Sequence, residues 1–272
     1  SGSGSSAGQS KIIFARCFRI WYSISVMVSL YIIIPAYNEE ANIGKVLDEW
    51  YPVVEAHPGA GRSRLVVVND GSRDSTGRIL EEYAAGHPLL VHLNEENRGH
   101  GGAVLRGYRY AVQNKADYVF QTDSDGQTRP EEFEAFWNRR REYAMVIGWR
   151  SGRQDGCSRV IVTRVLRMVL RRCFHVSVKD ANTPYRLMEA GQLRENLKLI
   201  PDNAPLSNVL LSVAYVKQKQ PVAWLPITFR PRQGGVNSIN LKKIFRIGRK
   251  ALGDFISLNR QWSRRFRQER RK

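Results

Sequence analysis

Apolar runs alternate along this chain with segments whose apolar residues recur every three or four positions. Tyr31-Ile-Ile-Ile-Pro35 predicts a strand, with a helix from near Glu40. Leu65–Val68 predicts a second strand, followed by Asp74-Ser-Thr-Gly77 and a helix through about Tyr83. Leu89–Leu93 predicts a third, then a glycine-rich turn and a helix near residues 101–114. Tyr118–Thr122 is a fourth. Pro130-Glu-Glu132 then opens a helix, with proline where its missing N–H costs little. Ala144–Trp149 is a further strand. This rhythm predicts an α/β fold: a mostly parallel central sheet flanked by helices on both faces.

Beyond residue 150 the rhythm fades. Residues 158–172 predict a helix with Arg164, Arg167 and Arg171 on one face. That face is either simply solvated or a contact for membrane or phosphate. A strand is expected near Val222–Phe229. From there Leu241, Ile244, Phe245, Leu252, Phe255, Trp262 and Phe266 recur at helical spacing among Lys and Arg. They predict a basic amphipathic C-terminal helix over 241–272. Its apolar stripe is read as lying in a bilayer interface, with packing on the catalytic domain as the alternative. Residues 1–10 read as a linker or tag, 11–28 as an N-terminal amphipathic segment, and 29–240 as the catalytic domain. The clean apolar stretch Ile20–Ile34 falls short of the roughly 20 residues that span a bilayer. No transmembrane helix or signal-peptide cleavage site is expected.

With 272 residues, 42% of them hydrophobic, the chain can bury a full core. Cys17, Cys157 and Cys173 are too sparse for a disulfide framework and fit a reducing compartment. The net charge is +18, and residues 230–272 hold fourteen Lys and Arg against Asp254 and Glu269, or +12 of it. That end is expected to face an anion: a membrane surface, phosphates or nucleic acid. The basic residues match no nucleic-acid recognition motif, so no nucleic acid is expected as partner.

Three strands end in polar clusters: Pro35-Ala-Tyr-Asn-Glu-Glu40, Asn69-Asp-Gly-Ser-Arg-Asp-Ser-Thr76 and Asp123-Ser-Asp125. Ligands of open α/β sheets collect at the carboxyl ends of strands. Tyr37 could stack on a base, and Glu39 and Asp70 could accept hydrogen bonds from a base edge or ribose. Asp74, Ser75 and Thr76 also suit a helix cap. In an extended segment Asp123, Asp125 and Gln127 would point the same way; the alternative is a plain turn, which Asp, Ser and Gly favour after a strand. Two carboxylates that close call for a cation, and Mg²⁺ or Mn²⁺ bound to phosphates is the natural occupant. The glycines after Arg98 let backbone approach an anion at a helix start. No P-loop sequence occurs.

Pro35-Ala-Tyr-Asn-Glu39, Asn69-Asp-Gly-Ser-x-Asp74, Arg98-Gly99 and Asp123-Ser-Asp-Gly-Gln127 stand in the order typical of family 2 glycosyltransferases. Over roughly residues 29–240 the chain most resembles the polyprenyl-phosphate branch, typified by dolichyl-phosphate mannose synthase. The resemblance implies a GT-A fold and inverting, metal-dependent transfer from a UDP- or GDP-sugar to a polyprenyl phosphate. Donor contacts would fall on Pro35, Ala36, Tyr37, Glu39, Asp70, Arg98, Gly99, Asp123 and Ser124. The metal would fall on Asp123, Asp125 and Gln127. Gly148-Trp-Arg150, Val178–Arg186 and Pro226–Ser238 resemble the phosphate-binding, acceptor-side and donor-closing loops. They place phosphate or acceptor contacts at Arg150, Arg159, Arg186, Arg230, Arg232 and Ser238. Asp123, Asp125, Arg150 and Asp180 are the catalytic candidates.

Asn69, Trp149 and Ile239 depart from the branch's pattern, and Lys242 or Lys243 is the candidate to replace the lysine expected at 239. A phosphate acceptor is already anionic and needs no strong base; an alcohol acceptor would need Asp180. The expected partners are a nucleotide-sugar donor, a polyprenyl-phosphate acceptor, an anionic membrane surface and, as an option, a membrane protein. The expected location is cytoplasmic, peripheral to the inner face of the membrane. A family 2 enzyme with a saccharide or lipid-linked glycan acceptor, and a nucleic-acid binder without catalysis, remain the alternatives.

Overall fold

The structure is a computed structural model that describes residues 27–150, 157–230 and 241–269, with the side chains of 157–162, 241–251 and 269 left aside. Its first half follows the expected alternation. Strand β1 (Leu30–Ala36) leads to helix α1 (Ile43–Ala56), β2 (Arg64–Asp70) to α2 (Thr76–Gly86), and β3 (Leu90–Glu95) to α3 (Gly99–Gln113). Strand β4 (Tyr118–Gln121) is followed by the short α4 (Phe133–Trp137) and by β5 (Met145–Arg150). All seven residues of β1 are buried, as a strand covered on both faces requires.

Among the described residues seven strands form one sheet, in the order β3-β2-β1-β4-β6-β5-β7. Strand β1 pairs in parallel with β2 on one side and β4 on the other. The chain therefore steps outward through β2 and β3, then reverses to the far side of β1. That reversal opens a crevice at the carboxyl ends of β1 and β4. Strand β6 (Arg186–Glu189) is the exception, antiparallel to both β4 and β5.

Alternate residues feed two cores. Ile33, Val66, Val119 and Met145 face one, with Val104 and Tyr108 of α3. Ile32, Leu65, Val67 and Phe120 face the other, with Val46, Leu47 and Trp50 of α1. A Cβ added at Gly107 would overlap the Ile33 and Val68 side chains, so glycine lets α3 lie close on the sheet.

The second half holds more structure than the sequence pattern shows. Helix α5 (Cys157–Phe174) lies where a helix is expected. Strand β6 and helices α6 (Ala190–Leu197) and α7 (Ser207–Lys217) had no predicted counterpart. Residues Ser207–Tyr215 of α7 are all buried, so no polar face breaks the run into a helical period. Strand β7 (Val222–Ile227) and helix α8 (Leu241–Glu269) follow.

From Phe255 onward the apolar stripe of α8 packs on the domain instead of facing a bilayer, while the side chains of Leu241, Ile244 and Phe245 lie outside the described residues. Phe255 and Trp262 are 3% and 2% exposed and pack on Phe174 with ring centroids 5.5 and 5.4 Å apart. The indole N–H of Trp262 donates to the Leu199 carbonyl at 3.0 Å. Burying two aromatic side chains is worth roughly 1.5–3 kcal/mol each, enough to hold this part of the stripe on the domain. Among the described residues, no helix is long and apolar enough to cross a membrane.

Candidate active site

The loops after β1 and β2 are stitched together by hydrogen bonds. Asn38, at φ 54°, donates its N–H to Ser72 Oγ at 3.0 Å and accepts from the Arg73 N–H at 2.8 Å. The Glu40 N–H donates to Asp74 Oδ2, and Glu40 Oε2 accepts from the Ser75 N–H. The Glu39 N–H donates to Thr76 Oγ1, while Glu39 Oε2 accepts from Asn42 Nδ2. Burial pushes the Asp74 carboxyl up, but bonds from Thr76 and Glu40 outweigh it and hold the carboxyl below its ordinary range. Pro35 and Ala36 are buried beneath this loop, and Tyr37 is 45% exposed above them. An accessible ring on a fixed loop is what stacking on a base needs.

Asp70 is 3% exposed, and its Oδ1 accepts the Arg98 N–H at 2.7 Å. Asn97 Nδ2 donates to the Asp70 carbonyl at 2.9 Å. Gly71, at φ 70°, has the Asn97 backbone 2.9 Å from where a Cβ would stand, which rules out any larger residue. The second strand's loop thus fixes the start of α3. Arg98 and Gly99 are exposed there.

The acidic pair is not an extended segment. The backbone bends over 124–126, Gly126 takes φ 69°, and Asp125 Oδ1 accepts the Gln127 N–H at 3.1 Å. The expected alignment of Asp123, Asp125 and Gln127 is therefore corrected to a turn, in keeping with its Asp, Ser and Gly content. Gln127 Nε2 donates to the Arg230 carbonyl at 3.1 Å, and the Arg230 N–H returns to the Gln127 carbonyl at 2.8 Å. Ser124 is buried.

Asp123 carries the sharpest chemical signal. Its side chain is 29% exposed, yet Oδ1 is buried without a hydrogen-bond partner. Burial pushes the carboxyl up and Asp125 adds to the rise, while His100, Arg150 and Arg186 oppose it. His100 Nε2 stands 4.0 Å from this oxygen. Sequence reasoning left His100 without a role; its place in Arg98-Gly-His-Gly-Gly at a helix start was the available signal.

An unpartnered carboxylate oxygen beside a second carboxylate lacks positive charge. Mg²⁺ and Mn²⁺ suit such a site, since hard cations are commonly held by one or two carboxylates plus substrate phosphates. Among the described residues no three His, Cys, Asp or Glu side chains cluster to hold a metal by themselves. The residues present fit a cation shared with a phosphorylated ligand.

Arg150, at the end of β5, and Asp180 form a second wall, near enough for Arg150 to act on Asp123. Arg150 Nε lies 3.9 Å from Asp180 Oδ2, and the guanidinium carbon sits 4.6 Å from the Phe229 ring centroid. Arg150 Nε is buried and has no hydrogen-bond partner. Beneath this wall the structure corrects the expectation for Arg186. That side chain is wholly buried and donates to the carbonyls of Ala181, Thr183 and Asn208 and to Ser212 Oγ. A guanidinium so enclosed cannot reach a substrate phosphate; it ties the 181–183 loop to α7.

Arg230 is engaged as well: Nη1 bonds both Glu49 oxygens at 2.7 and 2.8 Å. With Thr228 held by Glu132, Arg230 anchors the chain that leads from β7 to the acidic turn. Arg232, Ser238 and the side chain of Arg159 lie outside what the structure describes.

A mostly parallel sheet with a strand reversal beside β1 and a paired acidic turn at the end of β4 is the architecture of the GT-A fold. Residues 31–190, more than half of the chain, match the family model "Glycosyl transferase family 2". The chain belongs to that family. It is 28% identical over 207 residues to a dolichyl-phosphate beta-glucosyltransferase of Trichomonas vaginalis, covering 71% of this chain and 60% of that one. It is 25% identical over 218 residues to a polyprenol monophosphomannose synthase of Mycolicibacterium smegmatis, covering 77% and 80%. Glucosyl-3-phosphoglycerate synthase from Mycobacterium tuberculosis, in complex with Mn²⁺, UDP and glucosyl-3-phosphoglycerate, superimposes at a TM-score of 0.60. That match has 18% identity and covers 85% of this chain and 80% of that one. The chain spans 31%, 60% and 41% of the first curated relatives it matches.

Proposed function

We propose that the protein transfers a sugar, with inversion, from a UDP- or GDP-sugar to a polyprenyl phosphate presented at a membrane surface. The observation that carries this reading is the buried, unpartnered Asp123 oxygen with the Arg150 guanidinium near enough to act on it. One side is short of a cation and the other offers a cation, as a diphosphate leaving group and an anionic acceptor require. The relatives named for dolichyl-phosphate and polyprenol substrates support the acceptor class.

In this mechanism Tyr37, Glu39 and Asp70 orient the nucleoside. Asp123 and Asp125 would hold Mg²⁺ or Mn²⁺, which when bound supplies positive charge to the leaving diphosphate. His100 and the exposed N–H groups at the start of α3 add partial positive charge on the same side. Arg150 grips the acceptor phosphate. That phosphate attacks the anomeric carbon from the face away from the leaving group. Its oxygen is already anionic, so no proton has to be removed. Asp180 then serves to aim Arg150 rather than as a base.

The test is a radiolabelled nucleotide sugar incubated with polyprenyl phosphate, with and without Mn²⁺. An organic-soluble, metal-dependent product is expected. Transfer only to saccharide acceptors, with none to lipid phosphate, would overturn the acceptor assignment.

A further inference from the structure

We propose that the outer face of α5 is the surface on which the protein sits against an anionic bilayer. This deepens the assigned reaction and rests on a lipid-borne acceptor. The described side chains of α5 separate by exposure with a helical period. Leu170, Cys173 and Phe174 are buried. Arg164, Val165, Arg167, Met168, Arg171 and Arg172 are exposed and recur at steps of three and four, on one face. Val165 and Met168 are 47% and 60% exposed, large values for apolar side chains.

The chemistry of this face selects its partner. No Asp or Glu occurs from Cys157 to His175, so the arginines are not neutralised along their own helix. Guanidinium groups grip phosphate oxygens in a fork, and Val and Met between them can enter the acyl boundary just below. A depression lined by Met168, Arg171, Arg172 and His175 gives one phosphate headgroup a concave seat. An acidic protein would answer the charge, but it would leave the two apolar side chains without a partner.

Position favours the same occupant. Arg150 and Asp180 approach to 3.9 Å at the acceptor wall, and α5 is the helix between them in the chain. Docking through α5 would therefore seat the bilayer beside the wall that receives the lipid phosphate. The neighbouring α8 packs against α5 and turns Phe255 and Trp262 inward, which leaves Leu252 and Ile256 exposed among its described apolar side chains.

The test is flotation of the full chain with vesicles of phosphatidylcholine alone or mixed with phosphatidylglycerol. Binding to the mixed vesicles, weakened by salt, is expected. The V165D/M168D and R164Q/R167Q/R171Q variants should each lower partitioning by about tenfold or more, given the usual gain per basic residue near an anionic leaflet. All five positions are exposed, so unchanged melting curves are expected. Both variants should retain wild-type transfer to a detergent-solubilised acceptor. Wild-type flotation of both variants would overturn the proposal, as would a loss confined to L252D/I256D. Capture by polyglutamate without vesicle binding would overturn it in favour of an acidic protein. Flotation as expected without any transfer would instead strike the assigned reaction and leave the docking face standing.

Discussion

The loops after β1 and β2, the proposed donor floor, and the region around Arg150 and Arg186, the proposed acceptor wall, are held together in opposite ways. On the floor, many half-exposed bonds join backbone N–H groups to small side chains: Asn38 to Ser72, Arg73 to Asn38, Glu40 to Asp74, Ser75 to Glu40. Each contributes modestly and its neighbours can cover for its loss. On the wall, the single buried guanidinium of Arg186 gathers carbonyls from both the 181–183 loop and α7. The floor is redundant, whereas the wall depends on one residue. Chemistry should therefore fail first at the acidic turn, the proposed metal site, and folding should fail first beneath the wall.

The largest expected effect is chemical. Asp125→Ala should lower transfer by about 10³-fold, a loss typical of removing one charge-stabilising group. Steady-state assays across a Mn²⁺ titration check it, with thermal stability within a few degrees of wild type. Full activity would remove the acidic turn from the mechanism. Next is Arg186→Met, which leaves several buried acceptors unpaired and should cost about 3 kcal/mol by denaturant unfolding. Ser72→Ala on the floor should cost less than about 1 kcal/mol in the same experiment. Equal costs would erase the contrast between the two regions. Smaller again is Arg150→Lys. It keeps the charge but loses the guanidinium fork, and should raise KM for the lipid phosphate about tenfold with KM for the donor unchanged. A rise in the donor KM instead would move Arg150 to the other side of the crevice.

The same division explains what could be read from sequence. The floor was legible because parallel strands buried on both faces give continuous apolar runs, and the polar clusters at their ends mark where strand gives way to loop. Pro35–Glu39, Asp70 and Asp123 were located by that logic. Arg150 and Asp180 were each named, though only the fold shows them 3.9 Å apart. The wall was harder. Helix α7 is buried all round and β6 has four residues, so neither carries a period of its own. Arg186 was placed as a phosphate contact by the resemblance of its loop, and a resemblance of sequence does not reveal burial. The α8 stripe failed for a similar reason: an apolar face at helical spacing looks the same against a bilayer or a protein core.

The smallest effect tests whether strain at the site is stored in Asp123 itself. Its carboxyl is pushed up by burial, whereas Asp74 on the floor is held down by hydrogen bonds. The signs oppose. For Asp123 the unfolded chain releases its proton near pH 4 while the folded protein keeps it longer, so stability falls as pH rises from about 4 through the folded value. For Asp74 the folded protein releases first, so stability rises as pH climbs from the folded value to about 4. Without metal, Asp123→Asn should remove the first slope and raise the melting temperature at neutral pH by a few degrees at most. Asp74→Asn should lower it at neutral pH. Adding Mn²⁺ and UDP should stabilise the wild type and not Asp123→Asn. If Asp123→Asn melts no higher than wild type in chelator, the unpartnered oxygen is not a source of strain, and the case for a cation there would rest on the activity of Asp125→Ala alone.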